Sequence, residues 1–166
     1  MLTQSRLKEL LHYEPDTGEF TWLVRTSRRV KIGDIAGSQN GQGYQCIRID
    51  WKPYRAHRLA CLYIDGEWPE YEIDHINGVR SDNRWINLRY ATRSENSQNK
   101  RASTSNNCGF IGVSRFRNKW RARIMLAGRE KHLGCFPTPE DAHTAYLAAK
   151  ANLHPFQPIP RDAACL

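Results

Sequence analysis

The sequence predicts an α+β protein of two small units: a first half ending in the order strand, loop, strand, helix, then a three-stranded antiparallel sheet packed on one helix. Three observations carry this. Short apolar/polar alternations recur, as in Tyr44–Ile49 and Trp120–Met125, with no long apolar run between them. Two helix starts are written out as Thr92-Arg93-Ser94-Glu95 and Thr138-Pro139-Glu140-Asp141. A small, polar, basic stretch, Lys100–Asn107, separates the halves.

The 166 residues, 40% hydrophobic and 25% charged, suit one ordinary domain or two small ones. Lys and Arg outnumber Asp and Glu by 25 to 17, and the isoelectric point is near 9.5. Clustered cations displace the counterions condensed on phosphate backbones, so a polyanionic partner is expected, with an anionic membrane surface as the rival. No apolar run approaches the ~20 residues needed to cross a bilayer, and the opening MLTQSRLKELL lacks a secretory apolar region. A cytoplasmic protein is expected. The five cysteines are widely spaced with no C-x-x-C pair, which argues against a disulfide framework or a thiolate zinc site. The basic surplus is concentrated late: residues 1–70 carry 10 basic and 9 acidic side chains, residues 106–156 carry 8 and 3.

Taken in order, Leu2, Leu7, Leu10 and Leu11 mark an amphipathic helix with Thr3 as its N-cap, broken by Tyr13–Gly18. Glu19–Leu23 reads as a strand. A loop rich in Arg and Gly follows from Arg25 to about Gly43, where Arg28, Arg29 and Lys31 either touch phosphate or are merely solvated. Tyr44–Ile49 is a better strand, Asp50-Trp51-Lys52-Pro53 a turn, and His57–Ile64 a packed helix. His57 is read either as a group that supports a site or binds phosphate, or as an ordinary satisfied histidine.

The stretch from Tyr71 to Asn99 is the most informative. It holds Asp74-His75 and five asparagines, Asn77, Asn83, Asn87, Asn96 and Asn99, with little apolar content. Tyr71–His75 alternates as a strand, Asn77-Gly78 is a tight turn, Leu88–Thr92 a second strand, and a helix follows. This order can bring Asp74 and Asn96 to one oxygen-rich pocket suited to a hard cation such as magnesium, with His75 as general base. Phosphodiester hydrolysis needs those parts. Two neighbours on a flat strand point to opposite faces, so the strand must end or twist at Ile76-Asn77. The competing reading is that the asparagines are turn and cap residues, as Asn77 and Asn83 suit.

Three residue pairs in this stretch, Asp74-His75, Asn87-Leu88 and Glu95-Asn96, give it a resemblance to the HNH endonucleases, in particular the phage and intron-borne homing type. The resemblance implies a small ββα-metal nuclease domain over residues 1–100. It implies that His75 activates water, that Asp74 and Asn96 hold one divalent ion, and that Asn87 orients His75 or braces the loop. Asn96 stands where the family name has a second histidine, so Mg2+ or Mn2+ is expected rather than zinc, and no structural zinc is expected. A phage origin would place the protein in a bacterial host cell.

Residues 101–107 are read as a linker. Beyond them Ile111–Arg117, Trp120–Leu126 and Lys131–Phe136 are expected as strands, with turns at Asn118-Lys119 and Ala127-Gly128. The helix from Thr138 carries Ala142, Ala145, Tyr146 and Ala149 at i, i+3, i+4 and i+7. Trp120, Ala122 and Ile124 share one face of the middle strand, and Arg121, Arg123 and Met125 the other. Arginines on an open sheet face suit guanine edges and phosphates in a major groove; the rival is a solvated basic face. Gly112-Val113, W-x-A-x-I at Trp120–Ile124, Leu133-Gly134-x-Phe136 and the helix from Pro139 resemble the Apetala and ethylene-response-factor DNA-binding domain, over residues 108–156. The resemblance implies that Arg121 and Arg123 contact double-stranded DNA, with Arg117, Lys119 and His132 in the same set. Residues 157–166 are read as a tail.

The expected function is a metal-dependent DNA endonuclease of homing type. The alternatives are a non-catalytic DNA-binding regulator that keeps only the sheet, and a nuclease acting on RNA or in genome packaging. A deep, narrow A-form major groove disfavours RNA. One site per chain fits nicking by a monomer, whereas a double break needs a dimer or sequential cuts, and no heptad or interface patch decides between them.

Overall fold

The structure, a computed structural model, describes residues 1–98 and 108–154. The expected linker at 101–107, Asn99, Phe156 and the tail at 157–166 lie outside the described residues. The described chain divides into two compact units, with the division between Thr92 and Arg93.

In the first unit, helix α1 (Gln4–Leu10) begins at Thr3, whose side chain accepts the Arg6 N–H. Leu7 and Leu10 are its buried face. The chain does not break at Tyr13 as the sequence predicts. Strand β1 (Leu11–Glu14) runs on directly from the helix and pairs antiparallel with β2 (Glu19–Trp22), from Leu11↔Trp22 to Glu14↔Glu19. Leu11 and Tyr13 point into the core while His12 and Glu14 stay outside. Four residues are too few for alternation to outweigh the helical leucine spacing, and it is packing that makes this segment a strand.

A three-stranded antiparallel sheet follows in the order β3 (Ser38–Gln39), β4 (Gln45–Ile49), β5 (Lys52–Arg55). The turn between β4 and β5 is only Asp50-Trp51, both at positive φ. Lys52 and Pro53, expected in that turn, belong to the strand, and Pro53 is tolerated because β5 is an edge. Helix α2 (Ala56–Asp65) ends at Gly66 in the left-handed region. Leu7, Leu11, Tyr13, Phe20, Ile47, Ile49, Leu59 and Leu62 form one core, and each such side chain contributes about 1.5–3 kcal/mol by burial. Against it runs a two-stranded ribbon, β6 (Glu72–His75) with β7 (Leu88–Ala91), closed by a 3-10 turn at Trp85–Asn87.

Gly18 is where the β1–β2 hairpin meets the loop between β6 and β7. Its φ is +76°, and a Cβ there would lie 2.3 Å from backbone atoms of Asn83 and Arg84. Tyr13 Oη donates to Asn83 O at 2.7 Å, and Trp85 N donates to Pro15 O at 2.9 Å. The hairpin thus supports the loop that carries the polar cluster.

In the second unit, α3 (Arg93–Gln98) is followed by β8 (Val113–Phe116), β9 (Lys119–Leu126), β10 (Arg129–Phe136) and α4 (Pro139–Leu153). The last three strands form an antiparallel sheet with β9 in the middle, and α4 packs on it, as the sequence predicts. Thr138 caps α4 by accepting the Asp141 N–H. Val113, Ala122 and Ala142 are the buried centre, with Ile124 and Tyr146 beside them. Lys119 opens β9 rather than sitting in the turn, which Arg117 and Asn118 make, Arg117 at φ 54°. At Gly112 a Cβ would meet the Tyr146 ring at 2.2 Å and Arg123 O at 2.7 Å, so the ring closes over bare backbone. His154 ends α4 and bonds through Nε2 to Met125 O at 2.7 Å.

Candidate active site

Strand β6 is buried over its last three residues, Ile73, Asp74 and His75. Asp74 lies opposite Arg89 of β7, and the guanidinium donates twice to Asp74 Oδ2, from Nε at 2.9 Å and Nη2 at 2.7 Å. His75 lies opposite Leu88, and the chain then turns sharply, with Gly78 N donating to His75 O at 2.7 Å.

Between the strands, side chains replace the backbone ladder. Asn87 Oδ1 accepts the Asn77 N–H at 3.0 Å, and Asn87 Nδ2 donates to Asp82 O at 2.8 Å. Asn77 Nδ2 donates to Asp82 Oδ2, and Arg84 grips both oxygens of the same carboxylate at 2.8 and 2.6 Å. These bonds from Arg84 hold the Asp82 carboxyl below the usual range. Asn87 therefore braces the loop. The amide that meets His75 is that of Asn83, whose Oδ1 lies 3.4 Å from His75 Nε2 while its Nδ2 donates to Ser81 O. In this orientation Asn83 accepts the Nε2 proton, which leaves the lone pair on Nδ1.

Burial lowers the proton affinity of His75; the Asn83 bond and the carboxylates of Asp74 and Asp82 oppose this without cancelling it. The imidazole is neutral at pH 7, as a general base must be. The His57 ring stands at a right angle to it, centroids 5.0 Å apart, and the Tyr44 ring lies 5.4 Å from His57 and 6.1 Å from His75. His57 is pushed down to about 3, by burial first and then by His75, and its Nδ1 is buried with no hydrogen-bond partner.

Among the described residues no group of three or more His, Cys, Asp or Glu side chains stands together as a metal site. Strand β6 offers one buried carboxylate, Asp74, beside a neutral imidazole. That set fits a hard ion of the magnesium type, which binds through one or two carboxylates and fills its other positions with water and substrate phosphate oxygens. Asn96, the other expected ligand, lies half-buried on α3.

On the second unit, Lys119, Arg121 and Arg123 share one face of β9. Arg121 pairs in register with Ser114 and Cys135, and its guanidinium lies 5.3 Å from the Phe116 ring centroid. Arg121 Nε and Ser114 Oγ are both buried without a partner. Arg123 donates to Glu130 at 2.8 Å in a half-exposed pair, and Arg117 lies 5.6 Å from the Phe116 ring. His132 lies opposite Arg123, 4.0 Å from Cys135 Sγ.

Tyr44, Asn83 and Arg89 were not singled out as site residues by the sequence, and His57 was read only as a supporting or phosphate-binding group or an ordinary satisfied histidine. For Arg89 a signal existed: opposite charges across a two-stranded ribbon are a known pairing. The others depend on contacts over long sequence separations.

Residues 54–98 match the sequence model of the HNH endonuclease family. An uncharacterised HNH endonuclease of Acanthamoeba polyphaga mimivirus is 31% identical over 102 residues, which cover 60% of this chain and 53% of that protein. The chain thus spans about half the length of that relative. Protein 3.8 of Escherichia phage T7 is 34% identical over 83 residues, 48% of this chain and 69% of that protein. The solved structure of the HNH homing endonuclease I-HmuI, described for DNA binding and cleavage, superposes over 80% of this chain and 75% of that one at 20% identity with a TM-score of 0.44. Among the described residues no helix is long and apolar enough to cross a membrane. By the family match from Tyr54 in β5 to Gln98 in α3, where Asp74, His75, Asn87 and Asn96 all fall, residues 54–98 of this chain belong to the HNH endonuclease family.

Proposed function

We propose that the protein is a metal-dependent DNA endonuclease of homing type that hydrolyses a phosphodiester bond. The observation that carries this reading is His75: buried, neutral, and met at Nε2 by Asn83 Oδ1 at 3.4 Å. His75 is the general base. Asn83 sets its tautomer, and Asn87 holds the loop on which Asn83 rides. Arg89 holds the Asp74 carboxylate at the end of β6. A magnesium or manganese ion on Asp74 and Asn96, the ligands the family resemblance assigns, would supply charge neutralisation at the scissile phosphate and the leaving oxygen.

Residues 1–100 would be the catalytic domain and 108–156 a DNA-binding domain of the Apetala/ethylene-response-factor type, joined by residues 101–107. In the latter Arg121 and Arg123, with Lys119, Arg117 and His132, would contact double-stranded DNA. The half-exposed Arg123–Glu130 pair contributes little and can yield to a phosphate. One observation favours the rival reading of a non-catalytic DNA-binding regulator: Asp74 Oδ2 already accepts two bonds from Arg89.

Supercoiled plasmid incubated with the protein and magnesium or manganese, beside a chelated control and His75→Ala, decides between them. The wild type should cut, and chelation or His75→Ala should suppress cutting by about 100-fold or more. Equal cutting by wild type and His75→Ala would sink the enzyme reading, and the regulator reading would then rest on binding alone.

A further inference from the structure

Two guanidinium groups converge on one aromatic ring beside His75. Arg55, the N-cap residue of α2, lies 4.5 Å from the Tyr44 ring centroid, and Arg80, on the loop after β6, lies 4.9 Å from it. The three residues come from three separate segments of the first unit. Both arginines are exposed and Tyr44 is half-buried. The two like charges are therefore within about one Debye length of each other, ~10 Å at 0.1 M salt. Among the described residues no carboxylate forms an ion pair with either.

The ring that gathers them is held in place. Asn40 Oδ1 accepts the N–H groups of Gln42 and Tyr44, both at 3.0 Å, and Asn40 N donates to Tyr44 O at 2.9 Å. Arg80 ties its own loop to this turn, with Nη1 donating to Gln42 O at 2.9 Å. A cation over an exposed ring is stabilised by only about 0.5–1 kcal/mol. That orients a guanidinium without consuming its N–H donors, of which each arginine has five. Cations gathered and oriented in this way, with no internal counter-ion, call for an external anion. Its location is given by the rings: Tyr44 is 6.1 Å from His75.

We propose that Arg55 and Arg80, gathered on Tyr44, form the seat for a backbone phosphate of the DNA strand adjacent to the bond that His75 addresses. The proposal rests on the nuclease reading for the identity of the strand. The phosphate-binding geometry stands without it. A phosphodiester presents two oxygens in one plane, the arrangement a guanidinium fork takes in parallel bonds. Seating the strand here would set its register against His75 before any sequence is read elsewhere.

The test is binding of a 30-base-pair duplex across a salt series with a chelator present, so that no cleavage is needed. The full chain is compared with Arg55→Gln, Arg80→Gln, the double variant, and Arg6→Gln as a control for lost charge. Arg6 pairs with Glu9 and Asp50 and is not one of the two guanidinium groups on the Tyr44 ring. Each single variant should lower the slope of log K against log salt by about 1 and the double variant by about 2, with the Arg6→Gln slope unchanged. Thermal unfolding midpoints should match the wild type, because both side chains are exposed. Unchanged slopes in the double variant, an equal drop in Arg6→Gln, or no duplex binding by the wild type would each overturn the proposal. If the slopes fall as expected while wild type and His75→Ala cut plasmid equally, the phosphate seat stands and the nuclease reading fails.

Discussion

The first unit buries His57, Asp74, His75, Asn83 and Asn87 under a core that runs from Leu7 through Phe20 and Ile49 to Leu62. In the second, Arg121 and Arg123 stay half-exposed above a centre of Val113, Ala122 and Ala142. The difference follows from what each set of groups must do. A base has to be neutral at working pH, which requires desolvation, and desolvated polar groups need bonded partners to be tolerated. That takes a large, crosslinked scaffold. Side chains proposed to contact DNA have to remain reachable, so a small core under a three-stranded sheet suffices.

If this contrast is right, damage to the scaffold of the first unit should cost far more than damage to the sheet face of the second. Gly18→Ala should have the largest effect, because its Cβ would collide with the backbone of Asn83 and Arg84 at a φ that L side chains rarely adopt. We expect a loss above about 3 kcal/mol in denaturant unfolding of the first unit, and a loss below 1 kcal/mol would show that the hairpin does not support the loop. Asn83→Ala should reduce cleavage about 10–100-fold at saturating DNA with little change in DNA affinity, the effect of freeing a ring whose tautomer was held. If the rate is unchanged, Asn83 does not orient His75.

Arg121→Ala is the counterpart in the second unit. Binding should weaken by about 1–3 kcal/mol in a titration while the rate at saturating DNA is preserved. Equal affinities would remove Arg121 from the interface and leave the contrast without its second half. A further test is in pH dependence. His57 binds its proton near 6.5 when unfolded and near 3 when folded. Its contribution to stability is therefore complete above pH 6.5 and lost as the pH falls towards 3, with a slope of up to about 1.4 kcal/mol per pH unit. His57→Phe should flatten that slope in urea unfolding measured between pH 7 and 4, and an unchanged slope would mean that His57 is not buried neutral.

The elements most legible in the sequence are those with strong local signals. Thr3, Thr138-Pro139 and Asn77-Gly78 marked their cap, helix start and turn because capping and tight-turn chemistry act over two to four residues. Strand β1 was hidden because Leu11 also completes a helical leucine face. Of the expected site residues, Asp74, His75, Asn87 and Asn96 stand in recognisable sequence pairs, whereas Asn83 looked like one more turn residue. What makes it different is an imidazole eight positions away and the phenol of Tyr13, 70 positions away, on its carbonyl.

By itself the sequence determined the strand, loop, strand, helix order from Tyr71 onward and the three strands and helix that follow it, the α+β class, the basic charge and the identity of the groups able to do chemistry, since all of these depend on residue type and short spacing. The tertiary structure alone decided which amide meets His75, that Arg89 holds Asp74, and that Arg55 and Arg80 share one tyrosine. Those outcomes depend on contacts between segments far apart in the chain, whose geometry is set by how the hairpin, the sheet and α2 pack, and no local spacing encodes it.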